Sequence, residues 1–233
     1  MTLQPRDRVF VALDFPTLGV ARDCVTRLGD KVNLYKVGLE LIYAGGLELI
    51  KELHAQGKGV FLDGKVLDIP NTVEGAMRNI AKLGAEFTNI HVFDTKTVVA
   101  ARKGLENSKT KLLGVTVLTS LDANDVREQG VTTMTPLELV VHRAKLGQAA
   151  GLDGVVCSPQ EASAVRAACG DDFFIVTPGI RMPENDKGDQ SRVMTPRKAM
   201  DAGASHLVIG RPITDATNPE QATQDIWANI EGR

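Results

Sequence analysis

Aromatic residues are scarce in this chain, at 4% of 233 residues, while hydrophobic residues of all kinds reach 43%. A core must therefore be built mostly from aliphatic side chains. Neither sign of charge is in excess: the formal net charge is −2, with both signs interspersed. No basic stripe appears, which argues against a nucleic-acid partner. A phosphorylated small molecule stays open, because one local Arg or Lys suffices for it. Cysteine is sparse and odd in number, and Cys24, Cys157 and Cys169 are not at metal-ligand spacing. That argues against a disulfide framework and for reduced, buried thiols in a cytosolic protein. No run approaches the roughly 20 apolar residues of a membrane span, and residues 1–8 have charge and a proline but no apolar signal stretch. A soluble, cytoplasmic protein with no membrane partner is expected.

What is present is a recurring unit: a short apolar run, a turn, then a longer amphipathic segment. The apolar runs are Val9–Leu13, Leu34–Val37, Gly59–Leu62, Phe87–Val92, Leu112–Leu118, Gly154–Cys157, Phe173–Val176 and Leu207–Ile209. They are rich in Val, Ile and Leu with little polar alternation, as strands of a parallel sheet buried on both faces are. Several helix starts are readable between them. Thr135-Pro136-Leu137-Glu138 and Ser158-Pro159-Gln160-Glu161 each combine an N-cap, a proline at the first helical position and a glutamate at the third. Asn218-Pro219-Glu220-Gln221 repeats the pattern with Gln, and Thr195-Pro196 opens another helix. Gly84, Gly151 and Gly203 fit helix C-termini just before strands four, six and eight. Eight strands alternating with helices predict an α/β fold, a single (β/α)8 TIM barrel over residues 1–233 with no second domain. The competing open sheet is disfavoured, since strand one runs into Leu13-Asp14-Phe15-Pro16 and not into a Gly-rich turn.

In such a barrel, chemistry gathers where the strands end. Strand one ends on Asp14, strand two carries Lys36 before Gly38, and strand three ends on Asp63 and Lys65, with Asp68 beyond. Strand four ends on His91 and strand five on Thr119 and Ser120. Strand seven runs into Pro178-Gly179-Ile180-Arg181, and strand eight ends on Gly210-Arg211. Each has a structural alternative: Asp14 as a helix cap, Lys36 in a plain ion pair, His91 as a hydrogen-bonded rim residue, Thr119 and Ser120 as caps. Arg211 suits a phosphate, which the rim near strand eight often binds. The sharpest signal is Asp63-x-Lys65-x-x-Asp68. Asp63 and Lys65 are two apart and would share a face of an extended strand. Lys36 on the neighbouring strand adds a second cation. Alternating carboxylates and ammoniums stabilise one another's charges, which suits a lysine held as a proton donor; a structural salt-bridge network is the alternative.

With these segments in order, the sequence resembles the orotidine 5′-phosphate decarboxylase family in its short bacterial form. The likeness runs over nearly the whole chain. It rests on Ala12-Leu13-Asp14, Tyr35-Lys36-Val37-Gly38, Asp63-x-Lys65-x-x-Asp68-Ile69-Pro70-Asn71-Thr72-Val73 and Leu118-Thr119-Ser120. Val176-Thr177-Pro178-Gly179-Ile180-Arg181, Gly188-Asp189-Gln190-Ser191-Arg192 and Ile209-Gly210-Arg211-Pro212-Ile213 continue it. The resemblance implies cofactor-independent and metal-free decarboxylation of orotidine 5′-phosphate to uridine 5′-phosphate, the last step of de novo UMP synthesis. It implies that Lys65 protonates C6 and that Asp63 lies beside the departing carboxylate. Lys36 and Asp14 would contact ribose hydroxyls, and Thr119 and Ser120 would lie at the pyrimidine. Gln190, Arg211, the Gly210 amide and Arg181 would serve the phosphate. Lys36, Asp63, Lys65 and Asp68 would form the catalytic set, and Asp68, Ile69 and Thr72 would also belong to substrate binding, with Asp68 and Thr72 reaching into the neighbouring subunit's site of a homodimer. The segment from Arg181 to Arg192 would close over the phosphate. Gly64, Leu67 and Val92-Phe93-Asp94-Thr95 depart from the family's usual residues without replacing a catalytic one. The rival is a metal-dependent sister enzyme, hexulose-phosphate synthase or ketogulonate-phosphate decarboxylase. Ile69-Pro70-Asn71-Thr72 and Gly188-Asp189-Gln190 both speak against it.

Overall fold

The computed structural model describes residues 4–130, 132–182 and 193–232. Eight strands, β1 (Val9–Ala12), β2 (Leu34–Gly38), β3 (Gly59–Val66), β4 (Phe87–His91), β5 (Lys111–Val115), β6 (Gly154–Val156), β7 (Phe174–Thr177) and β8 (His206–Ile209), pair in chain order. Every pairing is parallel, and β1 pairs with β8, so the sheet is a closed barrel with helices outside it. This is the expected (β/α)8 architecture. Val, Leu, Ile and Ala form the layers between strands and helices, and the outward-facing Tyr35 is one of the few rings there.

The barrel interior differs from the expected aliphatic core. Phe10, Phe61, Phe87 and Phe174 converge on its lower half with His206 among them. Their rings meet edge to face, with centroids 5.3 Å apart for Phe87–Phe174 and 5.5 Å for Phe10–Phe87. A few aromatics suffice because the strands aim them at one point. Two residues further along the same inward faces come Lys36 after Leu34, Asp63 after Phe61 and Asn89 after Phe87. The aromatic plug is thus the floor on which a polar layer stands.

Local chemistry explains the helix starts. The Thr135 hydroxyl accepts from Glu138 N–H and the Glu138 carboxylate accepts from Thr135 N–H, a full capping box on helix Pro136–Ala149. Thr195 caps helix Pro196–Asp201 as expected, and Asn218 caps helix Pro219–Glu231 through the Gln221 N–H at 3.1 Å, while the Gln221 side chain donates to Asp225 and does not close the expected box. Gly84, Gly151 and Gly203 take the left-handed conformation ahead of β4, β6 and β8, as expected. The Ser158 start is displaced. Residues 158–161 form a turn, with the Glu161 carboxylate accepting from Ser158 N–H at 2.9 Å, and the helix begins only at Ala162. The box closes on itself within the turn, so Pro159 opens a turn and not a helix. Among the described residues no helix is long and apolar enough to cross a membrane. The three cysteines form no disulfide.

Candidate active site

Two strands end more than one residue from the ends of the expected apolar runs, and both shape the rim. β5 stops at Val115, three residues short of the expected Leu118. Thr116 then turns its hydroxyl back to the Val156 carbonyl at 3.0 Å. Thr119 and Ser120 therefore stand on a turn beyond the strand, with Thr119 at the cleft and Ser120 exposed outside its lining. β3 instead continues past Leu62 to Val66, taking Asp63, Gly64 and Lys65 into the strand. Its pairing with β4 jumps from Leu62–Thr88 to Val66–Ile90, which marks a bulge. At the bulge Lys65 has φ +47°, a left-handed conformation uncommon for a side-chain-bearing residue. Simple strand alternation is therefore not what brings Lys65 beside Asp63; the bulge does.

The result is one continuous row. Lys36 Nζ lies 2.8 Å from Asp14 Oδ1 and 3.5 Å from Asp63 Oδ2. Lys65 Nζ donates to Asp63 Oδ1 at 2.7 Å. The same Oδ1 accepts from Asn89 Nδ2 at 2.7 Å, and Asn89 Oδ1 accepts from the Lys65 backbone N–H at 2.7 Å. Exposure falls and rises along the row, from 51% for the Asp14 side chain to 9% and 11% for Lys36 and Asp63 and 28% for Lys65. Burial by itself would lower the Lys36 pKa, but Asp63 and Asp14 outweigh it and hold the ammonium above its ordinary value. Burial would raise that of Asp63, but Lys36, Lys65 and Asn89 outweigh it and hold the carboxyl below its ordinary value. Both stay charged at neutral pH.

The row lines one side of a cleft of about 580 Å³. Its apolar floor is Ala12, Phe61, Val115, Val156 and Val208, and Thr119, Arg181, Gly210 and Arg211 line it elsewhere. Arg181 stands where Ile180 pairs with Met194, and its backbone N–H donates to the Met194 carbonyl at 3.0 Å. The structure thus brings Asp14, Lys36, Asp63, Lys65, Thr119, Arg181, Gly210 and Arg211 into one cleft. Asp68, Ile69 and Thr72 are exposed and do not line it, and Asp68 accepts a hydrogen bond from Ile69 N–H at 2.7 Å. Gln190 and most of the expected closing segment, 183–192, lie outside the described residues.

His91 ends β4 half-buried and outside the cleft lining. Burial, with Lys65 and Arg143 nearby, lowers its pKa. The departure after it is structurally consistent: Phe93 lies under the Arg143 guanidinium at 4.6 Å, and Asp94 caps helix Thr95–Gly104 through Thr97 N–H at 2.8 Å. Among the described residues no group of three or more His, Cys, Asp or Glu side chains is arranged to hold a metal ion. The rim carboxylates are matched with ammoniums instead. Asn89 is the site residue that sequence reasoning missed. Its signal was available: a polar side chain inside the apolar run Phe87–Val92, two residues before His91 and so on the same face.

The chain is similar to known proteins both in sequence and in fold. The sequence profile described as orotidine 5′-phosphate decarboxylase / HUMPS family matches residues 7–226. Two curated relatives named orotidine 5′-phosphate decarboxylase are 48% identical to the chain. One, from a Bradyrhizobium strain, aligns over 98% of this chain and 93% of its own. The other, from Rhodopseudomonas palustris, aligns over 97% and 94%. The crystal structure of orotidine 5′-phosphate decarboxylase from Lactobacillus acidophilus superposes with a TM-score of 0.85 at 39% identity, over 96% of this chain and 99% of that one.

Proposed function

The chain belongs to the orotidine 5′-phosphate decarboxylase family, and from that premise we propose that its cleft converts orotidine 5′-phosphate to uridine 5′-phosphate with Lys65 as the proton donor. The C6–carboxylate bond breaks, CO₂ leaves, and the electron pair stays at C6. That pair lies in the ring plane and gains nothing from π-delocalisation. It must be met by charge already in place, and Lys65 Nζ, held 2.7 Å from Asp63, is that charge. The pair takes a proton from Lys65, which regains one from solvent. Asp63 faces the departing carboxylate. Lys36 and Asp14 take the ribose hydroxyls, and Thr119, the one of the expected pair that lines the cleft, takes the pyrimidine. Arg181, Gln190, Arg211 and the Gly210 amide take the phosphate, whose binding organises the distant reacting carbon.

The same reading makes the active unit a homodimer, with each chain of residues 1–233 serving as one barrel domain in the cytoplasm. Asp68, Ile69 and Thr72 are exposed and outside their own cleft. Beside them Leu67 is 55% exposed and Ile69 67%, and Phe93 and Val99 are more than half exposed on the next βα unit. Helices Pro70–Ala81 and Thr95–Gly104 pack side by side, so these apolar groups share a region of surface. A second copy seated there would receive Asp68 and Thr72 at its own substrate.

The observation that carries the reading is the unbroken row Asp14–Lys36–Asp63–Lys65 along the cleft. The test is the fall in absorbance of orotidine 5′-phosphate with a chelator present. Turnover is expected at full rate. No turnover, or turnover only after Mg²⁺ is restored, would remove the reading.

A further inference from the structure

Asn89 is completely buried on β4, facing the bulge of β3. Three residues of β3, Asp63, Gly64 and Lys65, stand opposite this one position. There the regular ladder is broken, and the Lys65 N–H points at the Asn89 side chain, with N···O 2.7 Å. The other end of the same carboxamide donates to Asp63 Oδ1, the oxygen that also receives Lys65 Nζ. One planar group on a neighbouring strand thus fixes the carboxylate and the backbone of its lysine partner together. Only an amide of this length has a donor and an acceptor so spaced: aspartate lacks the donor, and serine or threonine presents one oxygen to two partners.

We infer that Asn89 is a positioning residue for proton transfer: it holds Lys65 in its left-handed backbone turn, and so holds the ammonium against Asp63. Gly64 beside it adopts an ordinary conformation, and the strained one falls on the lysine. Such a conformation persists where surrounding bonds over-determine it, and the Asn89 carbonyl supplies one of them. The residue touches neither the ribose nor the phosphate groups of the cleft, so its effect belongs to the chemical step. The inference rests on the decarboxylase reading.

The test uses the full chain with Asn89→Ala and with Asn89→Asp. Turnover of orotidine 5′-phosphate, binding of uridine 5′-phosphate and thermal unfolding are measured for each. Asn89→Ala should lower kcat per nucleotide-binding site about 100-fold, because a displacement of about 1 Å at a reacting group costs that much, while nucleotide affinity stays within about threefold. Asn89→Asp keeps the acceptor for Lys65 N–H but sets a second carboxylate against Asp63, which otherwise faces Lys36 from β2, Lys65 on its own strand, Asp14 after β1 and His91 from β4. Its acid limb of kcat/KM should move up by about one pH unit or more. A purely structural residue would lower the unfolding temperature and the number of binding sites together. Per-site kcat and acid limb would then stay at wild-type values, and that outcome overturns the inference. If the alanine variant yields no folded protein, the acid limb of the isosteric aspartate variant decides alone. Failure of the unaltered chain to turn over while it binds the nucleotide counts against the decarboxylase reading; normal per-site turnover by the variants counts against Asn89.

Discussion

A Cβ on Gly38 would stand 2.6 Å from Lys36 Nζ and 2.7 Å from Asp14 Oδ1, so the Lys36–Asp14 ion pair crosses the bare Cα of this glycine. The requirement is one of space. Gly38 has φ −99° and ψ −177°, an extended backbone open to any residue. Both obstructing atoms are tips of flexible side chains, which can swing aside without disturbing the barrel. Gly38→Ala should therefore fold with a nearly unchanged melting temperature while separating Lys36 from Asp14. Losing one charge-assisted hydrogen bond at the ribose end should raise KM about 10- to 100-fold. Steady-state kinetics beside a thermal melt checks this, and an unchanged KM would take the pair out of substrate binding.

The shared-site proposal makes a numerical prediction. Lys65→Ala should abolish decarboxylation with nucleotide binding retained, and Asp68→Ala should also be nearly inactive. When the two proteins are mixed in equal amounts and exchange subunits, each heterodimer holds one native site and one doubly altered site. Random pairing should then restore about a quarter of wild-type activity per chain. Complete exchange, shown by a mass tag, with no recovered activity would confine Asp68 to its own chain.

The barrel and most of its rim were legible because they depend on local pattern. Apolar runs at regular intervals mark strands, and a strand's inward face is fixed by its period of two, so Asp14, Lys36 and Asp63 could be assigned to one rim from the sequence. Thr135, Thr195 and Asn218 could be read as caps because a cap needs only its own helix. The bulge at Asp63–Lys65 was not legible. Left-handed backbone is expected at glycine, and the neighbouring Gly64 is the residue that sequence points to, yet the bonds from Asn89 and Asp63 set it at Lys65. The bonds of Asn89 to Lys65 and to Asp63 cross 24 and 26 positions in sequence, and no local rule carries them. The early end of β5 is similar in kind: Val115 is followed by Val117 and Leu118, but Thr116 finds its hydrogen-bond partner on β6 and the chain turns away.

Tyr35 shows where the fold carries a cost. It is wholly buried in the layer between barrel and helices, and among the described residues its hydroxyl has no hydrogen-bond partner. Burial, with Cys24 and Asp30 nearby, pushes the phenol well above its ordinary pKa. An unsatisfied buried hydroxyl costs about 1–3 kcal/mol, and phenylalanine fills the same space without one. Tyr35→Phe should stabilise the protein by about 1 kcal/mol and raise the melting temperature by roughly 2–4 °C. Because the ring faces away from the cleft, kcat should not change. A loss of stability in denaturant unfolding would show that the hydroxyl contributes a bond after all.

His206 is one group through which acid destabilises the fold. It is 4% exposed among Phe10, Phe87 and Phe174, and burial, with Arg8 second, pushes its pKa from 6.5 down to about 4. Its Nδ1 lies 3.2 Å from the Ser205 hydroxyl, which donates its one hydrogen to the Ile175 carbonyl. The neutral ring is therefore bonded as a donor through Nδ1. Between pH 6.5 and 4 the unfolded chain binds a proton at this position that the folded chain does not, so unfolding is favoured as pH falls. Stability from this residue is complete above pH 6.5 and declines across that window by roughly 3 kcal/mol in all. His91, whose pKa is also lowered, adds in the same direction, and Glu86, whose pKa burial raises, opposes it. His206→Gln isolates the term, since every other group titrates alike in both proteins. The difference in unfolding free energy between the two should shrink by about that amount from pH 7 to pH 4; parallel curves would show that the His206 ring is not kept neutral by the barrel floor.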